Sequence, residues 1–403
     1  MSVGLLALAI SNVYGACGID KGSVRILGND FPAIHAIADE ASKCKSAKVK
    51  ITKNLTKEHK DLHVASLTSN PAQYTTVVVA NGTLTPLLNN NLVRPLDDLV
   101  AKYGKKLSKS QLITVDGKIM AVAFMANAQH LFIREDILKK AGLSVPTTYE
   151  EVVKTAKIIQ DKGLMKYPLS GTYKAGWNLA EEFVNMYMGY GGQLFKQGSA
   201  EPSVNNKKGI ATLEMMKKLT KYMNPDYLTF DSNAVQADWE AGKVAIANLW
   251  GSRYKGIMDN EGSTKDIVSN TKIAKTPSVG GLNIPATTLW WDGFTIAKNI
   301  SKTDAEATFQ AMMNGISSKM ANANAQAAVW IIKGHTTGAN GKAIVDTASS
   351  GAVSYPMLPY MGSMHGALGS EIVDFFQGKE SASKALSDVE AAYRAKAKES
   401  GFL

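Results

Sequence analysis

The sequence predicts an α/β protein with more than one folded unit, and three observations lead to this class. The chain has 403 residues, and one domain usually takes roughly 150. Its composition, 45% hydrophobic and 20% charged, is that of an ordinary globular chain. Short apolar runs alternate with stretches of helical periodicity along the whole chain. Such alternation favours parallel sheets that are covered by helices on both faces.

The first third of the chain shows this alternation most simply. Residues 31–42 predict a helix, because Ile34, Ile37, Ala38 and Ala41 recur at the spacing of one helix face. The other elements predicted here are strands at 24–27, 48–51 and 75–80 and a helix at 83–89.

The rest of the chain continues in the same way. Residues 150–163 form an amphipathic pattern that Thr147 or Thr148 can cap, and Pro146 stands just before it. The sequence has no internal repeat and no low-complexity tract, so we expect two α/β lobes without a flexible linker. The further predicted elements are strands at 118–124, 244–249 and 294–297 and helices at 177–187, 207–222, 233–241, 303–314, 370–377 and 383–400.

The net charge of +10 raises the question of binding to nucleic acid or anionic surfaces. The lysines are scattered, and they alternate with acidic residues in stretches such as 154–166 and 391–398. No basic stripe is interleaved with the aromatic side chains on which single-stranded nucleic acid stacks. We therefore expect a basic, solvated surface and no nucleic-acid partner.

The N-terminus has the shape of a secretory leader. Residues 3–10 form a short apolar block, and the small residues Gly15 and Ala16 follow it. We expect a signal peptide at 1–16, and its missing basic n-region suggests a truncated or misassigned start. Two alternatives stay open: a buried first strand or helix, and a lipid anchor on Cys17, which is disfavoured because Tyr14 replaces the usual leucine. After residue 16, no apolar run reaches the about 20 residues that a membrane span needs.

The two cysteines, Cys17 and Cys44, flank the first predicted strand–helix unit. An even count in an exported protein permits a disulfide, and we expect these two residues to pair. The alternative is a pair of free thiols.

The sequence gives little support for an enzyme. It contains no GxSxG, HExxH or P-loop. His59 and His63 have the i, i+4 spacing of a metal pair, but no third ligand is evident, and we expect a solvated helix face. Glu181 and Glu182 are adjacent, point in different directions on a helix and cannot form a catalytic dyad. We expect a protein that is not an enzyme and holds no metal or cofactor.

Polar and aromatic residues at predicted strand ends indicate a binding crevice, which in open α/β sheets lies beyond the carboxyl ends of strands. Indoles cover the apolar faces of a sugar, and Asn, Asp and Arg bind its hydroxyls. Trp239 and Trp330 are expected in the core, whereas residues 290–293 are expected to precede a strand. The candidate ligand-binding residues are Asn29, Asp30, Asn81, Asn127, Gln129, Trp177, Trp250, Gly251, Arg253, Trp291, Asp292 and Gly293.

Four segments carry a resemblance to a known family: VDGKIMAVAF at 115–124, LFIRED at 131–136, KAGL at 140–143 and PTTYEE at 146–151. Together with Asn127, they are similar to DGKxYAVPF…N…LFYRKDLFEKAGL…PxTWEEL of the family 1 extracellular solute-binding proteins of sugar ABC transporters, the maltose-binding-protein-like proteins. The departures are Met120, Ala123, Ile133 and Tyr149. Further matches follow in family order at 191–195, 239–246, 293–299 and 378–403.

The resemblance implies a type II periplasmic binding protein fold, in which two lobes with mostly parallel, helix-flanked sheets are joined by a hinge. One lobe would comprise 19–122 and 287–333, and the other 123–286 and 334–403. Such lobes close around a bound solute. The resemblance also implies a periplasmic, monomeric protein that captures a sugar or small oligosaccharide and delivers it to the permease subunits of an ABC importer in the inner membrane.

Three alternatives stay open. Arg253 could pair with a carboxylate, phosphate or sulfonate, so the solute could be an anionic sugar derivative, or else a polyol. A glycan-cleaving enzyme would form product on prolonged incubation, whereas a receptor returns its ligand unchanged. A structural or adhesion protein is disfavoured, because the candidate residues cluster at strand ends.

Overall fold

The computed structural model describes residues 16–335 and 339–403. The predicted signal peptide, except for Ala16, therefore lies outside the described residues. Within these ranges the strands are β1 (Gly22–Gly28), β2 (Val49–Leu55), β3 (Thr76–Ala80), β4 (Leu112–Val115), β5 (Lys118–Asn127), β6 (Gln129–Arg134), β7 (Leu169–Ser170), β8 (Ile246–Trp250), β9 (Thr271–Ala274), β10 (Thr288–Ile296), β11 (Val329–Trp330) and β12 (Val353–Ser354).

Helices alternate with these strands throughout. Among the described helices, none combines the length and the apolar character that crossing a membrane requires. The helices are α1 (Pro32–Ser42), α2 (His59–Thr68), α3 (Asn81–Asn89), α4 (Asp97–Tyr103), α5 (Glu135–Ala141), α6 (Tyr149–Asp161), α7 (Trp177–Gly189), α8 (Lys207–Thr220), α9 (Ser232–Glu240), α10 (Tyr254–Met258), α11 (Lys265–Asn270), α12 (Lys302–Gly315), α13 (Ser318–Ala323), α14 (Ala339–Ser349), α15 (Met361–Glu371), α16 (Val373–Phe376) and α17 (Ala382–Glu399).

Side-chain caps define several helix starts. Thr148, one of the two expected caps, accepts a hydrogen bond from the Glu151 backbone N–H at 3.1 Å and begins α6. Asn206 caps α8 in the same manner, and Ser301 caps α12. Each cap satisfies backbone N–H groups that have no partner within the helix.

The larger sheet has the order β11-β5-β10-β3-β1-β2, with β4 also paired to β5 and β12 to β10. β1 runs parallel to β2 and β3, as the strand–helix alternation predicts. β10 lies between β3 and β5 and runs antiparallel to both. The core of this sheet also includes residues of α1 and α12. Its buried strand residues include Val24, Ile26, Phe124 and Phe294.

The smaller sheet has the order β7-β8-β6-β9. β6 runs antiparallel to β8 and β9, and β7 runs parallel to β8. The core on this side includes Leu131, Phe183, Leu213 and Leu386, which come from β6, α7, α8 and α17. The α/β class is therefore confirmed, and apolar clusters cover both faces of each sheet.

Both sheets are mixed, whereas mostly parallel sheets were expected. The difference arises where the chain passes between the sheets. β5 ends at Asn127 in the larger sheet and β6 begins at Gln129 in the smaller one, so the buried Ala128 alone separates them. β10 later returns to the larger sheet and enters it antiparallel to β3 and β5. The lobe boundaries stay a prediction, and the expected boundary between residues 122 and 123 falls within β5.

A disulfide joins Cys17 to Cys44 and ties the start of the described chain to the end of α1. Cys44 is buried in the core of the larger sheet. The bridge closes a loop with a sequence separation of 27 residues. Loop closure of this size contributes about 3–4 kcal/mol through the entropy of the unfolded chain.

We predict that reduction lowers the melting temperature of the wild-type protein by several degrees, because the unfolded chain regains that entropy. The double variant Cys17→Ser/Cys44→Ser should melt at the reduced wild-type temperature and show no response to reductant. Thermal unfolding of both proteins with and without a thiol reductant measures this. A wild-type melting temperature that does not respond to complete reduction would contradict a stabilising bridge.

Candidate functional site

A cavity of about 200 Å³, called here the central cavity, lies between the two sheets. It opens beyond the carboxyl ends of β1, β3 and β8, where ligand crevices of open α/β sheets are found. It is lined by Asn29, Phe31, His59, Lys60, Val78, Val79, Ala80, Gly82, Thr83, Asn127, Trp177, Asn178, Ser232, Trp250, Ser252, Arg253, Trp290 and Asp292.

Three indoles form one wall of the central cavity. The Trp177 and Trp250 rings are 6.4 Å apart, and Trp290 lies 5.7 Å from Trp177 and 5.9 Å from Trp250. Trp250 and Trp290 retain 9% and 7% of their exposure, so only a small part of each ring faces the cavity. Ring faces of this kind pack against the C–H groups of a sugar or polyol.

Hydrogen-bonding side chains occupy the other positions around the indoles. Asn127 and Ser252 bond to each other across the cavity wall, with the Asn127 Nδ2 donating to Ser252 Oγ at 3.2 Å. Arg253 donates to Asn233 Oδ1 at 3.0 Å. Among the described residues, no carboxylate oxygen lies within 4.0 Å of the Arg253 guanidinium. Its remaining N–H groups are therefore available to a solute.

Two ionisable side chains face the middle of the central cavity. Lys60 is exposed as a whole residue, yet its Nζ lies 3.5 Å from the centre of the Trp177 ring. Loss of water around this ammonium lowers the pKa of Lys60 to about 8, against the attraction of Glu181 and Asp292. Loss of water raises the pKa of Asp292 to about 7, and the positive charge of Lys60 opposes that rise. Both groups therefore change protonation close to neutral pH.

A fully buried network of polar side chains lies behind the indole wall. Glu182 Oε1 accepts from Gln129 Nε2 at 2.7 Å and from Thr172, and Glu182 Oε2 accepts from Asn248 Nδ2 at 3.1 Å. Asn185 donates from Nδ2 to Gln129 Oε1 at 3.0 Å. Burial raises the pKa of Glu182 to about 7 in spite of these donors. The network fixes the first residue of β6 to α7.

Glu181 belongs to the same helix but bonds to different partners, as expected for adjacent helical residues. Its Oε1 accepts from Thr288 Oγ1 at 2.8 Å and from Trp290 Nε1 at 3.0 Å. Its Oε2 is buried and has no hydrogen-bond partner. Burial raises the pKa of Glu181 to about 8. The carboxyl group therefore holds the indole of Trp290 in place.

Six of the predicted site residues line the central cavity: Asn29, Asn127, Trp177, Trp250, Arg253 and Asp292. A seventh, Asp30, lies beside the cavity. It lines a neighbouring hollow with Arg253 and accepts a hydrogen bond from His35 Nε2 at 2.7 Å. These seven come from both sheets and from the strands between them, as a crevice between two lobes requires.

Trp291 and Gly293 lie away from the cavity because residues 290–293 are part of β10 and do not precede it. Successive side chains of a strand point to opposite faces of the sheet. Trp290 and Asp292 therefore share the face that lines the cavity, and Trp291 packs on the other side against the cluster around Leu67 and Leu84. At Gly293 an added Cβ would lie 2.5 Å from the Val122 carbonyl oxygen, so this glycine allows β10 and β5 to pack closely.

Asn81, Gln129 and Gly251 also lie outside the lining. Asn81 begins α3, and its Oδ1 accepts from the Trp291 backbone N–H at 2.9 Å, which anchors β10. Gln129 is fully buried in the network on Glu182. The Gly251 N–H donates to the Ala128 carbonyl at 2.9 Å. All three position the site from behind.

Sequence reasoning missed Trp290, Lys60 and His59 as lining residues. The alternation of a strand would have identified Trp290, had residues 290–293 been placed inside it. His59 and His63 were expected on a solvated face, but both are buried, with ring centroids 5.1 Å apart. Burial lowers the pKa of His59 to about 3, so the ring is neutral. In the described chain, no group of three or more His, Cys, Asp or Glu side chains is placed to hold a metal ion.

Two β-sheets flanked by helices, with an indole-lined cavity between them, define a binding protein for a small solute. The chain belongs to the family of bacterial extracellular solute-binding proteins, whose sequence profile matches residues 45–314, well over half of the chain. The resemblance noted in the sequence is thereby confirmed.

Relatives of known description agree with this family. A "Probable ABC transporter-binding protein" of Deinococcus radiodurans is 29% identical over 203 residues, which are 48% of this chain and 46% of that protein. The chain thus spans about half the length of the curated relative that it matches.

Two solved structures share the fold. A ribitol-bound ABC transporter solute-binding protein of Agrobacterium radiobacter K84 has a TM-score of 0.81 at 20% identity, over 94% of this chain and 99% of that one. The maltose-bound MalE3 of T. maritima has a TM-score of 0.76 at 14% identity, over 92% of this chain and 99% of that one. The two-lobe fold is confirmed by these similarities.

We predict that the contribution of Glu181 to stability falls as pH rises, because its buried carboxyl group has a raised pKa. The folded state binds this proton more tightly than the unfolded state, so the contribution is complete below pH 4.5 and is lost as pH rises through about 8. Between pH 5 and 9 the loss should be on the order of a few kcal/mol. Glu181→Gln, which keeps the acceptor oxygen, should reduce this loss. The buried histidines His59, His63, His130 and His365 have lowered pKa values and contribute in the opposite direction below pH 6.5, so the Glu181 contribution is the difference between the wild-type and Glu181→Gln profiles.

Urea unfolding at pH 5, 7 and 9 measures the effect. Glu371→Gln, at a partly exposed position on α15, is the matched control and should retain the wild-type pH profile. A Glu181→Gln profile that is superimposable on the wild-type profile would show that Glu181 is not the responsible group.

Proposed function

We propose that the protein is the substrate-binding protein of an ABC importer and captures a sugar or polyol in the central cavity. The observation that carries this proposal is the combination of three mutually packed indoles with Asp292, Arg253 and Asn127 around one small cavity. The indoles supply apolar faces and the polar groups supply hydroxyl partners, which is the chemistry of a polyhydroxylated solute. The ribitol and maltose bound by the two structural relatives belong to this class.

Solute capture is proposed to occur by closure of the two lobes. The cavity receives Asn29, Phe31 and Lys60 from the side of the larger sheet and Trp177, Trp250 and Arg253 from the side of the smaller one. A solute that contacts both sides stabilises the closed arrangement over the open one. The crossings at 127–129 and before β10 are the proposed hinge.

The remaining assignments belong to the same proposal. Membership of a family of extracellular solute-binding proteins supports the proposal that the protein is exported to the periplasm. The similarity to an ABC transporter-binding protein supports the proposal that the solute is delivered to permease subunits in the membrane. We propose that the protein acts as a monomer, binds no nucleic acid and releases its solute unchanged.

A thermal-shift screen against ribitol, mannitol, glucose, maltose and maltotriose tests the proposal. A solute at 100 times its dissociation constant should add about 2.7 kcal/mol of stability. Small-angle scattering with the best solute should then show a smaller radius of gyration, and chromatography after long incubation should recover the solute intact. Failure of every sugar and polyol in a broadened panel to stabilise the protein would overturn the proposal.

We predict that above pH 8, where the Asp292 carboxyl group is ionised, Asp292→Asn weakens binding of the best solute at least about tenfold, because a hydrogen bond to a charged group contributes about 1.5–3 kcal/mol. The change keeps the shape of the side chain and removes its charge. Isothermal titration calorimetry measures affinity, and melting curves verify folding. Asp116→Asn, in an exposed turn, is the matched control and should bind as the wild type does. Near wild-type affinity in folded Asp292→Asn would move the site elsewhere.

An anionic sugar derivative is the second candidate solute, because the Arg253 guanidinium has no carboxylate partner within 4.0 Å in the described chain. The carboxylate of a uronic acid would be a partner for this guanidinium. Comparing glucuronate with glucose in the wild type and in Arg253→Gln separates the two candidates. A preference for glucuronate that disappears in Arg253→Gln supports the anionic solute, and equal or better binding of glucose rejects it.

A further inference from the structure

A second cavity, called here the adjoining cavity, measures about 430 Å³ and is not used by the function proposed above. It lies between α2, α3, α7 and α15. Lys60, Gly82, Thr83 and Trp177 line both cavities. The two spaces therefore meet where the Lys60 ammonium covers the Trp177 ring.

The floor of the adjoining cavity contains glycines that the backbone does not require. Gly362 and Gly366 lie within α15, and a Cβ added to either would meet no atom within 4 Å. Neither has a positive φ. Glycine destabilises a helix interior relative to alanine, so its presence needs another reason. The consequence of both glycines is open space above the helix.

An unpartnered polar side chain also faces this space. His63 lines the adjoining cavity and is only 2% exposed, yet neither of its ring nitrogens has a hydrogen-bond partner. Buried polar groups are nearly always hydrogen-bonded. Burial lowers the pKa of His63 to about 4, so the neutral ring offers one donor and one acceptor. Both nitrogens are closed off from the cavity in this arrangement, so a solute hydroxyl reaches one of them only after the His63 ring rotates.

Lys60 separates this space from the central cavity. It extends from α2 on the side of the larger sheet to the first residue of α7 on the side of the smaller one. Glu181 and Asp292 attract its ammonium toward this position. An ammonium over an indole is held by the charge distribution of the ring. As long as it stays there, the Trp177 face is not available to a solute.

We propose that Lys60 is a length gate: one sugar or polyol unit binds in the central cavity, and a longer solute reaches the adjoining cavity only when the Lys60 ammonium leaves Trp177. The proposal rests on the proposed function for the class of solute. A longer solute disrupts the Lys60–Trp177 attraction and gains stacking on Trp177, and rotation of the His63 ring toward the cavity adds a hydrogen bond. Solute length is thus selected by the balance between these contacts.

Calorimetry with glucose and ribitol as short probes and maltose and maltotriose as long probes tests the gate. Lys60→Ala should raise the affinity ratio of long to short probes between about twofold and thirtyfold, the range that corresponds to a cation–π contact. Gly366→Leu places a side chain in the adjoining cavity and should lower that ratio. Lys57→Ala, an exposed lysine just before α2, is the matched control.

An equal change for all four probes in Lys60→Ala would overturn the gate and make Lys60 a direct contact of the first unit. A ratio that Gly366→Leu does not lower would also overturn it, since the longer solutes would then lie elsewhere.

A measurement without solute keeps this test separate from that of the proposed function. Lys60→Ala should change the tryptophan emission of the ligand-free protein, and the change should vanish in a Trp177→Phe background, whereas Lys57→Ala should leave emission unaltered. An emission change that persists without Trp177, or no change at all, overturns the gate even if sugars bind. If none of the four probes binds but the Trp177-dependent emission change is observed, the sugar class is rejected and the position of Lys60 over Trp177 is supported.

Discussion

The site depends on the hydrogen bonds of one buried side chain, Asn185 on α7. Its Oδ1 accepts from the backbone N–H of Thr288 at 2.7 Å, and its Nδ2 donates to Gln129 Oε1 at 3.0 Å. Thr288 begins β10 and Gln129 begins β6, so a single amide connects both strands that pass between the sheets. Trp177 and Glu181 precede Asn185 by eight and four residues and lie on the same helix face. One helix face therefore aligns the crossing strands and the aromatic wall.

This arrangement explains why charged groups are tolerated behind a sugar-sized cavity. Glu181 and Glu182 are fully buried, and burial of an ionised carboxylate is costly unless it is paired or hydrogen-bonded. The raised pKa of each group means that protonation reduces this cost near neutral pH. Lys60 and Arg253 give the cavity two positive charges. The partly protonated Asp292 neutralises these charges only in part.

The sequence predicted the strand–helix units because their apolar spacing reflects contacts with a core, and it located six lining residues because strand ends follow from strand positions. Strand ends account for Asn29, Asn127, Trp250 and Arg253, whereas Trp177 begins a helix and Asp292 lies inside β10. The sequence could not place residues 290–293, since two adjacent indoles hide the alternation of β10. It also placed His59 on a solvated face, because the polar neighbours Glu58 and Asp61 obscure a helix that contributes to the cavity. The network around Gln129 joins residues from distant parts of the chain, and no local pattern reveals such partners.

The lining residues differ in how they would act on lobe closure. Asn127, Trp290 and Asp292 lie on the crossing strands, and Asn185 and Asn81 anchor β10 from both sides. We expect these three residues to contact the solute equally in the open and the closed arrangement. Their contacts then raise the affinity for the solute without favouring either arrangement. Phe31 and Arg253 extend from opposite sides of the central cavity, and we expect a solute to contact both of them only in the closed arrangement. Residues of this second kind supply the differential affinity that shifts the equilibrium, because a ligand with equal affinity for both states shifts nothing.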